Sequence, residues 1–572
     1  MRDAVAPIWS AFAALGLAAA GASAGRPADL VLAGGRIWTA ESAAPWAEAI
    51  AIRDGRILYV GDAAGAARYR GPKTRVAELA GRLVVPGFND SHIHLMGGAL
   101  SLERVDLIED QSVEAVQARI RAFAAAQPAS PWVLGRGWLY GSFPGGLPTR
   151  QQLDTAVPDR PAYMECYDGH SGWANSKALS LAGITKDTKD PVNGTIVRDP
   201  ATGEPTGALK ESATALVEAK IPIPGPEQRY QLLLRALRLL NSQGITSVQD
   251  AGYTPAQLDA DLPLLERALR EDQLTVRITA SVQMGPGAVE GPTARATALA
   301  KRLAGPRLRF GAVKGYVDGV IEAHTAAMLE PYVDASHGNG KPNWDAAALD
   351  AAVIAADRAG LQVYLHAIGD RGVRMALDAH EAARRANGRP DRRGRIEHIE
   401  TISPADYPRF RTLGVIASMQ PLHANPDQNN MNVWSRNIGP ERASRGFSWG
   451  NVERAGGRLI FGSDWPVVTS DVMRGLYCAV ARKTKQGTPA GGWLPEQAVS
   501  LENALRHYTI DGAFASFEEK EKGSLAVGKR ADLVVVSEDL FRQPPETILK
   551  TRILLTVMDG QVVHRDPAFP EP

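Results

Sequence analysis

His92 and His94 stand two apart in the segment Asn89-Asp90-Ser91-His92-Ile93-His94, at the end of the apolar run Leu83-Val84-Val85-Pro86-Gly87-Phe88. On a β-strand, side chains two apart point to the same face, so both imidazoles can reach one cation. Three more ligand-type residues close short apolar runs: His366 after Leu361-Gln362-Val363-Tyr364-Leu365, His398 after Arg395-Ile396-Glu397, and Asp464 after Leu459-Ile460-Phe461-Gly462-Ser463. Imidazole and carboxylate hold zinc, and zinc lowers the pKa of its bound water from about 15.7 to about 7. The chemistry within reach is therefore hydrolysis, and His92, His94, His366, His398 and Asp464 suffice for two ions.

Lys314 lies in the apolar stretch Phe310-Gly311-Ala312-Val313-Lys314-Gly315-Tyr316-Val317-Asp318-Gly319. An unpaired ammonium there is costly. Two readings stand side by side. Asp318, four residues on and on the same strand face, could pair with it, which is the commoner arrangement when Lys314 is taken alone. Alternatively, carbon dioxide addition would convert the amine into a carbamate able to bridge two metals.

The elements that must position these residues follow from the runs themselves. Each ends in a histidine or carboxylate at the same end, as expected of parallel strands whose C-terminal ends converge on a site. Eight runs (83–89, 245–249, 275–283, 308–317, 361–366, 394–398, 414–419 and 458–463) alternate with helical patterns such as 347–359 and 372–385. This predicts an α/β fold, a (β/α)8 TIM-like barrel over 86–519. Short strand-like pieces at 29–38, 49–61, 531–536 and 553–564, the second carrying the hairpin signal Asp54-Gly55, are too small to bury separate cores. They predict one composite β-sandwich built from both termini, 25–85 with 520–572. Between barrel strands 1 and 2 the gap exceeds one crossover, and residues from about 130 to 240 carry Pro, Gly, Trp138, Tyr140, Tyr163, Tyr167 and Trp173. They predict an insertion over the barrel mouth, whose aromatic residues could wall an apolar pocket or simply pack its core.

With 44% hydrophobic and 22% charged residues, the disordered, collagen-like and multi-span membrane classes are excluded. Lys+Arg 64 against Asp+Glu 63 gives a net charge of +1, which supplies no field for nucleic acid or an anionic membrane. A small-molecule ligand is the expected partner, and a homodimer is compatible with the sequence. Residues 1–24 end in Ala22-Ser23-Ala24 and read as a signal peptide, so the mature chain is expected to be exported, periplasmic or secreted, and off the membrane after cleavage. The pairing of Cys166 and Cys478 is left open, and no Cys-x-x-Cys offers a thiolate metal site.

Taken together, Pro86-Gly87-Phe88-Asn89-Asp90-Ser91-His92-Ile93-His94, Asp168-Gly169-His170-Ser171-Gly172-Trp173-Ala174-Asn175-Ser176-Lys177-Ala178-Leu179, Val313-Lys314 with Asp318-Gly319, His366-Ala367-Ile368-Gly369-Asp370, Glu397-His398, Gly462-Ser463-Asp464 and the closing Gly523-Ser524-Leu525 and Gly528-Lys529-Arg530-Ala531-Asp532-Leu533 resemble the metal-dependent amidohydrolase superfamily. The group most similar is that of the N-substituted formamide deformylases, also called amidohydrolase family 3. The resemblance implies that His92 and His94 hold one metal, His366 and His398 the other, and carbamylated Lys314 bridges them. Asp464 would bind the first metal and handle the proton while a hydroxide attacks the substrate carbonyl. It further implies two Zn2+ per chain, with Mn2+ or another divalent ion as alternatives, and hydrolysis of a non-peptide C–N bond in a small amide or N-substituted formamide. His170, Trp173 and Asn175 in the insertion, and His423 after the seventh run, are candidate substrate contacts. His380 and His507 fall on helical patterns and read as packing or surface residues. Two rivals remain: a mononuclear deaminase using His92, His94, His366 and Asp464, and a catalytically inactive barrel that only binds a ligand.

Overall fold

The computed structural model describes residues 27–167, 169, 171–192 and 194–571. The leader expected at 1–24 and the candidate contact His170 lie outside the described residues.

Eight parallel strands form one sheet in sequence order: β1 Phe88–Ile93, β2 Ile245–Tyr253, β3 Arg277–Gln283, β4 Leu308–Tyr316, β5 Gln362–Ala367, β6 Arg395–His398, β7 Ile416–Met419 and β8 Arg458–Phe461. The sheet curls into a nearly closed barrel in which β8 returns to β1: Asp464 N–H donates to His92 O at 2.7 Å, and His94 N–H to Trp465 O at 2.9 Å. Gly462 is required at this seam, because a Cβ there would run into the His92 backbone nitrogen. Helices such as Ala346–Arg358 and Asp370–Asn387 cover the outside and bury Val353, Ala356, Val373 and Leu377 in the main core. The pattern of 3.6 that predicted them reflects this one-sided burial.

The first run divides, which corrects its reading as a single strand over 83–89. Leu83–Pro86 joins a different sheet, between Arg36–Trp38 and Leu533–Val536, and only after Gly87 does the chain enter β1. That six-stranded sheet takes strands from both ends of the chain, in the order 561–565, 553–558, 533–536, 83–86, 36–38, 46–47. A four-stranded sheet of 56–61, 49–53, 30–33 and 75–78 lies with it around one apolar core of Leu30, Ile50, Ile52, Val84, Leu533 and Leu555. Asp54 and Gly55, at φ 51° and 74°, turn the hairpin between 49–53 and 56–61, the left-handed pair that a two-residue turn needs.

Between β1 and β2 the chain builds a third sheet in the order 194–198, 205–211, 171–174, 162–166, 133–138, 104–106. The sheet begins at Arg104–Asp106, ahead of the boundary near 130 that composition suggested. The loop after that first strand carries Glu109, which pairs with Arg474 at 3.1 Å, and Arg136 donates to Pro466 O, so the insertion is tied to the loop and helix that follow β8. Cys166 and Cys478 are both buried and are not joined to each other by a disulfide. Among the described residues no helix is long and apolar enough to cross a membrane.

Candidate metal centre

Parallel register sets out the side chains at the C-terminal ends of the strands. Tyr316 on β4 stands opposite His366 on β5, and His366 opposite Glu397 on β6. The seam between β8 and β1 adds His92 and Asp464. One ligand atom each from His92, His398 and Asp464 lies within 4.8 Å of the others, and all three residues are buried. His398 and Asp464 hold left-handed backbone, at φ 76° and 62°, a conformation costly for residues with a Cβ and concentrated at functional sites.

The other expected ligands surround this trio. His94 Nε2 is 3.2 Å from Asp464 Oδ1, His92 Nε2 is 3.4 Å from the same oxygen, and the His366 ring centre is 4.6 Å from that of His398. His366 Nε2 also sits 3.3 Å from Gly319 O, so it stands beside the compact group. Lys314 has no exposed surface, and its Nζ has no hydrogen-bond partner among the described residues. The alternative pairing with Asp318 is not formed: the Asp318 carboxylate accepts from the backbone N–H groups of Ala327, Ile368 and Gly369 at 2.9, 3.0 and 2.9 Å. Instead, Lys314 Nζ lies over the Tyr316 ring, 4.9 Å from its centre.

Partners behind the ligands fix their orientation. Glu397 Oε2 lies 2.6 Å from His92 Nδ1 and Gln420 Oε1 lies 2.9 Å from His398 Nδ1. Both oxygens accept, so each Nδ1 carries the hydrogen, and the neutral form of each ring turns its Nε2 lone pair toward a cation. Burial alone would raise Glu397, but the Arg395 guanidinium and His92 hold its carboxyl far below the usual range, and Arg395 Nε donates to Glu397 Oε1 at 2.9 Å. Burial, aided by the Lys314 cation, drops His366 to about 3, and burial with His366 beside it drops His398 well below its ordinary value. Burial works against ionisation of Asp464, yet His92 and the neighbouring imidazoles hold it well below the usual carboxylate range. Neutral His366 and His398 beside an ionised carboxylate are the forms that bind metal. The buried, unpartnered His92 Nε2 and Asp464 Oδ1 complete the case that these residues fit a divalent cation.

His423 also reaches the centre: its Nε2 is 3.5 Å from Asp464 Oδ2, and its ring lies parallel to His398 with centres 5.6 Å apart. Trp173 and Asn175 do not, which corrects their reading as substrate contacts. Trp173 is buried in the insertion core with Phe143 and donates to Thr149 O at 2.8 Å. Asn175 has no exposed surface; it accepts from Ala162 and Ala178 N–H at 3.0 and 2.9 Å and donates to Val157 and Arg160 carbonyls at 3.1 and 2.9 Å. Trp138 and Tyr163 are likewise core residues of the insertion. Glu397, Gln420, Tyr316 and Asp90 join the site without having been assigned a role from sequence. Glu397 carried a usable signal, a carboxylate directly before a strand-end histidine, whereas Gln420 carries no such mark.

The comparisons agree with this geometry. The amidohydrolase family profile matches residues 75–564. Protein LONG AFTER FAR-RED 3 of Arabidopsis thaliana is 32% identical over 550 residues, 95% of this chain and 92% of that protein. The N-substituted formamide deformylase of Arthrobacter pascens is 28% identical over 554 residues, 93% of this chain and 97% of its own. Among solved structures, an uncharacterized metal-dependent hydrolase from Pyrococcus furiosus superimposes with a TM-score of 0.68 at 27% identity, covering 90% of this chain and 99% of that one. The chain belongs to the amidohydrolase family and is a metal-dependent hydrolase acting on carbon–nitrogen bonds.

Proposed function

We propose that the protein hydrolyses the C–N bond of a small amide or N-substituted formamide at a centre holding two divalent ions, most simply Zn2+. His92, His94 and Asp464 would hold one, His366 and His398 the other, with a carbamate on Lys314 between them. The observation that carries this reading is Lys314 itself, a lysine enclosed among His92, Glu397 and Asp464 with nothing bonded to its Nζ. Burial pulls its ammonium down to about 8, so free amine is available near neutrality. Addition of carbon dioxide would form an N–C bond, release a proton and give Lys314 a carboxylate able to hold two cations.

Bound divalent cations at such a centre ionise water near neutral pH and polarise a carbonyl oxygen. Asp464 does the proton work: its Oδ1 is unpartnered, takes up a proton and returns it to the departing nitrogen. His423, whose Nε2 is 3.5 Å from Asp464 Oδ2, would contact the substrate beside it. The formamide deformylase relative supports the formamide class. The two sheets at the termini read as one sandwich module (25–85 with 520–572) clasping a catalytic barrel (86–519), and the chain as exported with a leader at 1–24, acting on free small molecules as a monomer or homodimer.

The test is release of formate and amine from N-benzylformamide, compared with formamide, by protein reconstituted with zinc or manganese. Turnover of the substituted compound is expected. Failure across a broad amide panel by metal-loaded protein would leave the ligand-binding barrel as the better reading, and one ion per chain with activity on a ring amidine would favour deamination.

A further inference from the structure

Arg482 caps the C-terminal end of the helix Val472–Ala481 and has no exposed surface. Its Nε donates to Trp493 O at 2.8 Å, and Trp493 N–H donates back to Arg482 O at 2.7 Å. The guanidinium carbon lies 4.2 Å from the centre of the Trp449 ring and 5.5 Å from that of Trp493. These contacts employ the faces of the rings and one of the three guanidinium nitrogens. Among the described residues Nη1 and Nη2 are buried without a partner, and so is the indole Nε1 of Trp449, whose residue is itself fully enclosed.

Among the described residues no anionic side chain is bonded to this cation. The groups that favour its charge are the Cys478 thiol and the Glu496 carboxylate. Cys478 donates to Pro421 O at 3.0 Å, and burial pushes its thiol up to about 12, so it is neutral at physiological pH. Glu496 is exposed and makes no bond to the guanidinium. Burial lowers Arg482 only to about 10, so it remains a cation. The helix end and the indole faces lend partial negative charge, but neither takes a hydrogen bond from Nη1 or Nη2, and a buried cation with unsatisfied donors is strongly unfavourable.

We propose that Arg482 Nη1, Arg482 Nη2 and Trp449 Nε1 form a binding site for a small monovalent anion of the halide class, chloride in physiological solution. A halide carries no hydrogen, accepts from several N–H groups at once and cancels the charge. Water would bring two more donors into a place already short of acceptors. The reciprocal bonds between Arg482 and Trp493 hold the intervening segment 483–492, so the anion is a structural ligand acting on stability.

The metal-loaded full chain, dialysed into sodium gluconate, is titrated with sodium chloride or sodium bromide at constant ionic strength. The expected result is a saturable rise in Tm with either halide, lost in Arg482→Met and weakened in Trp449→Phe. If Arg482→Met does not fold, Trp449→Phe and crystals of the unaltered protein grown in bromide decide the matter, with an anomalous bromine peak expected beside Arg482 and Trp449. Equal Tm in gluconate and halide, or only water at that position, overturns the proposal.

Discussion

Asp90 clamps Ser463: its Oδ1 accepts the Ser463 backbone N–H at 2.8 Å and its Oδ2 the hydroxyl at 2.5 Å. The pair joins the first barrel strand to the segment after the last, and it is this closure that brings His92 against Asp464. Ser463→Ala leaves a buried carboxylate oxygen without its donor, which costs about 1–3 kcal/mol. Urea unfolding should show that loss, accompanied by weaker metal retention, because the seam and the centre share the same backbone.

Glu397 orients His92 and neutralises the buried Arg395. Glu397→Gln keeps the shape but removes the charge and one of two accepting oxygens, so the side chain can no longer accept from both Arg395 and His92 as Glu397 does. Metal affinity measured by chelator competition should fall about 10–100-fold. Unchanged affinity would show that the His92 orientation is set by packing alone.

Asp464→Asn removes the group assigned to proton transfer while retaining one oxygen that can face a cation. Turnover should drop about 10²–10⁴-fold, with metal still bound, though more weakly. Near-normal turnover by this variant would strip Asp464 of its role.

His380 gives stability a pH dependence separate from the metal centre. It is buried, donates from Nε2 to Arg395 O at 3.4 Å, and burial pushes its imidazole down to about 4 from 6.5. Between those values the unfolded chain binds a proton that the folded chain refuses, so stability falls as pH falls through the window, by up to about 3 kcal/mol. His380→Gln should show a shallower decline than the unaltered protein over pH 6.5 to 4 in parallel denaturant titrations. Identical slopes would mean that His380 titrates in the folded state as it does in the unfolded one.

The barrel is legible in the sequence because its signal is local and repeated: each short apolar run ends in a turn, and His92, His366, His398 and Asp464 all mark the same end. Lys314 is legible as an anomaly, a charge inside an apolar strand, but whether Asp318 pairs with it is not. That depends on Asp318, whose carboxylate is consumed by three backbone N–H groups from segments that sequence spacing does not connect. Trp173 and Asn175 mislead for the opposite reason. An aromatic ring and an amide beside a histidine look like a ligand site, yet in the insertion the ring fills a core and the amide caps the helix Ser176–Leu181. The division of 83–93 at Gly87 is hidden because strands of two sheets joined end to end carry one continuous apolar pattern. Gln420 and Asp90 act through partners 22 and 373 residues away, a relation only the folded chain reveals.

Metal content per chain, measured by plasma mass spectrometry on protein stripped, reconstituted with zinc in bicarbonate buffer and dialysed, tests the central claim most directly. Two ions per chain are predicted for the unaltered protein, and one or fewer for Lys314→Met. Protein that retains no zinc under these conditions, while folded by circular dichroism, would contradict the account at its root.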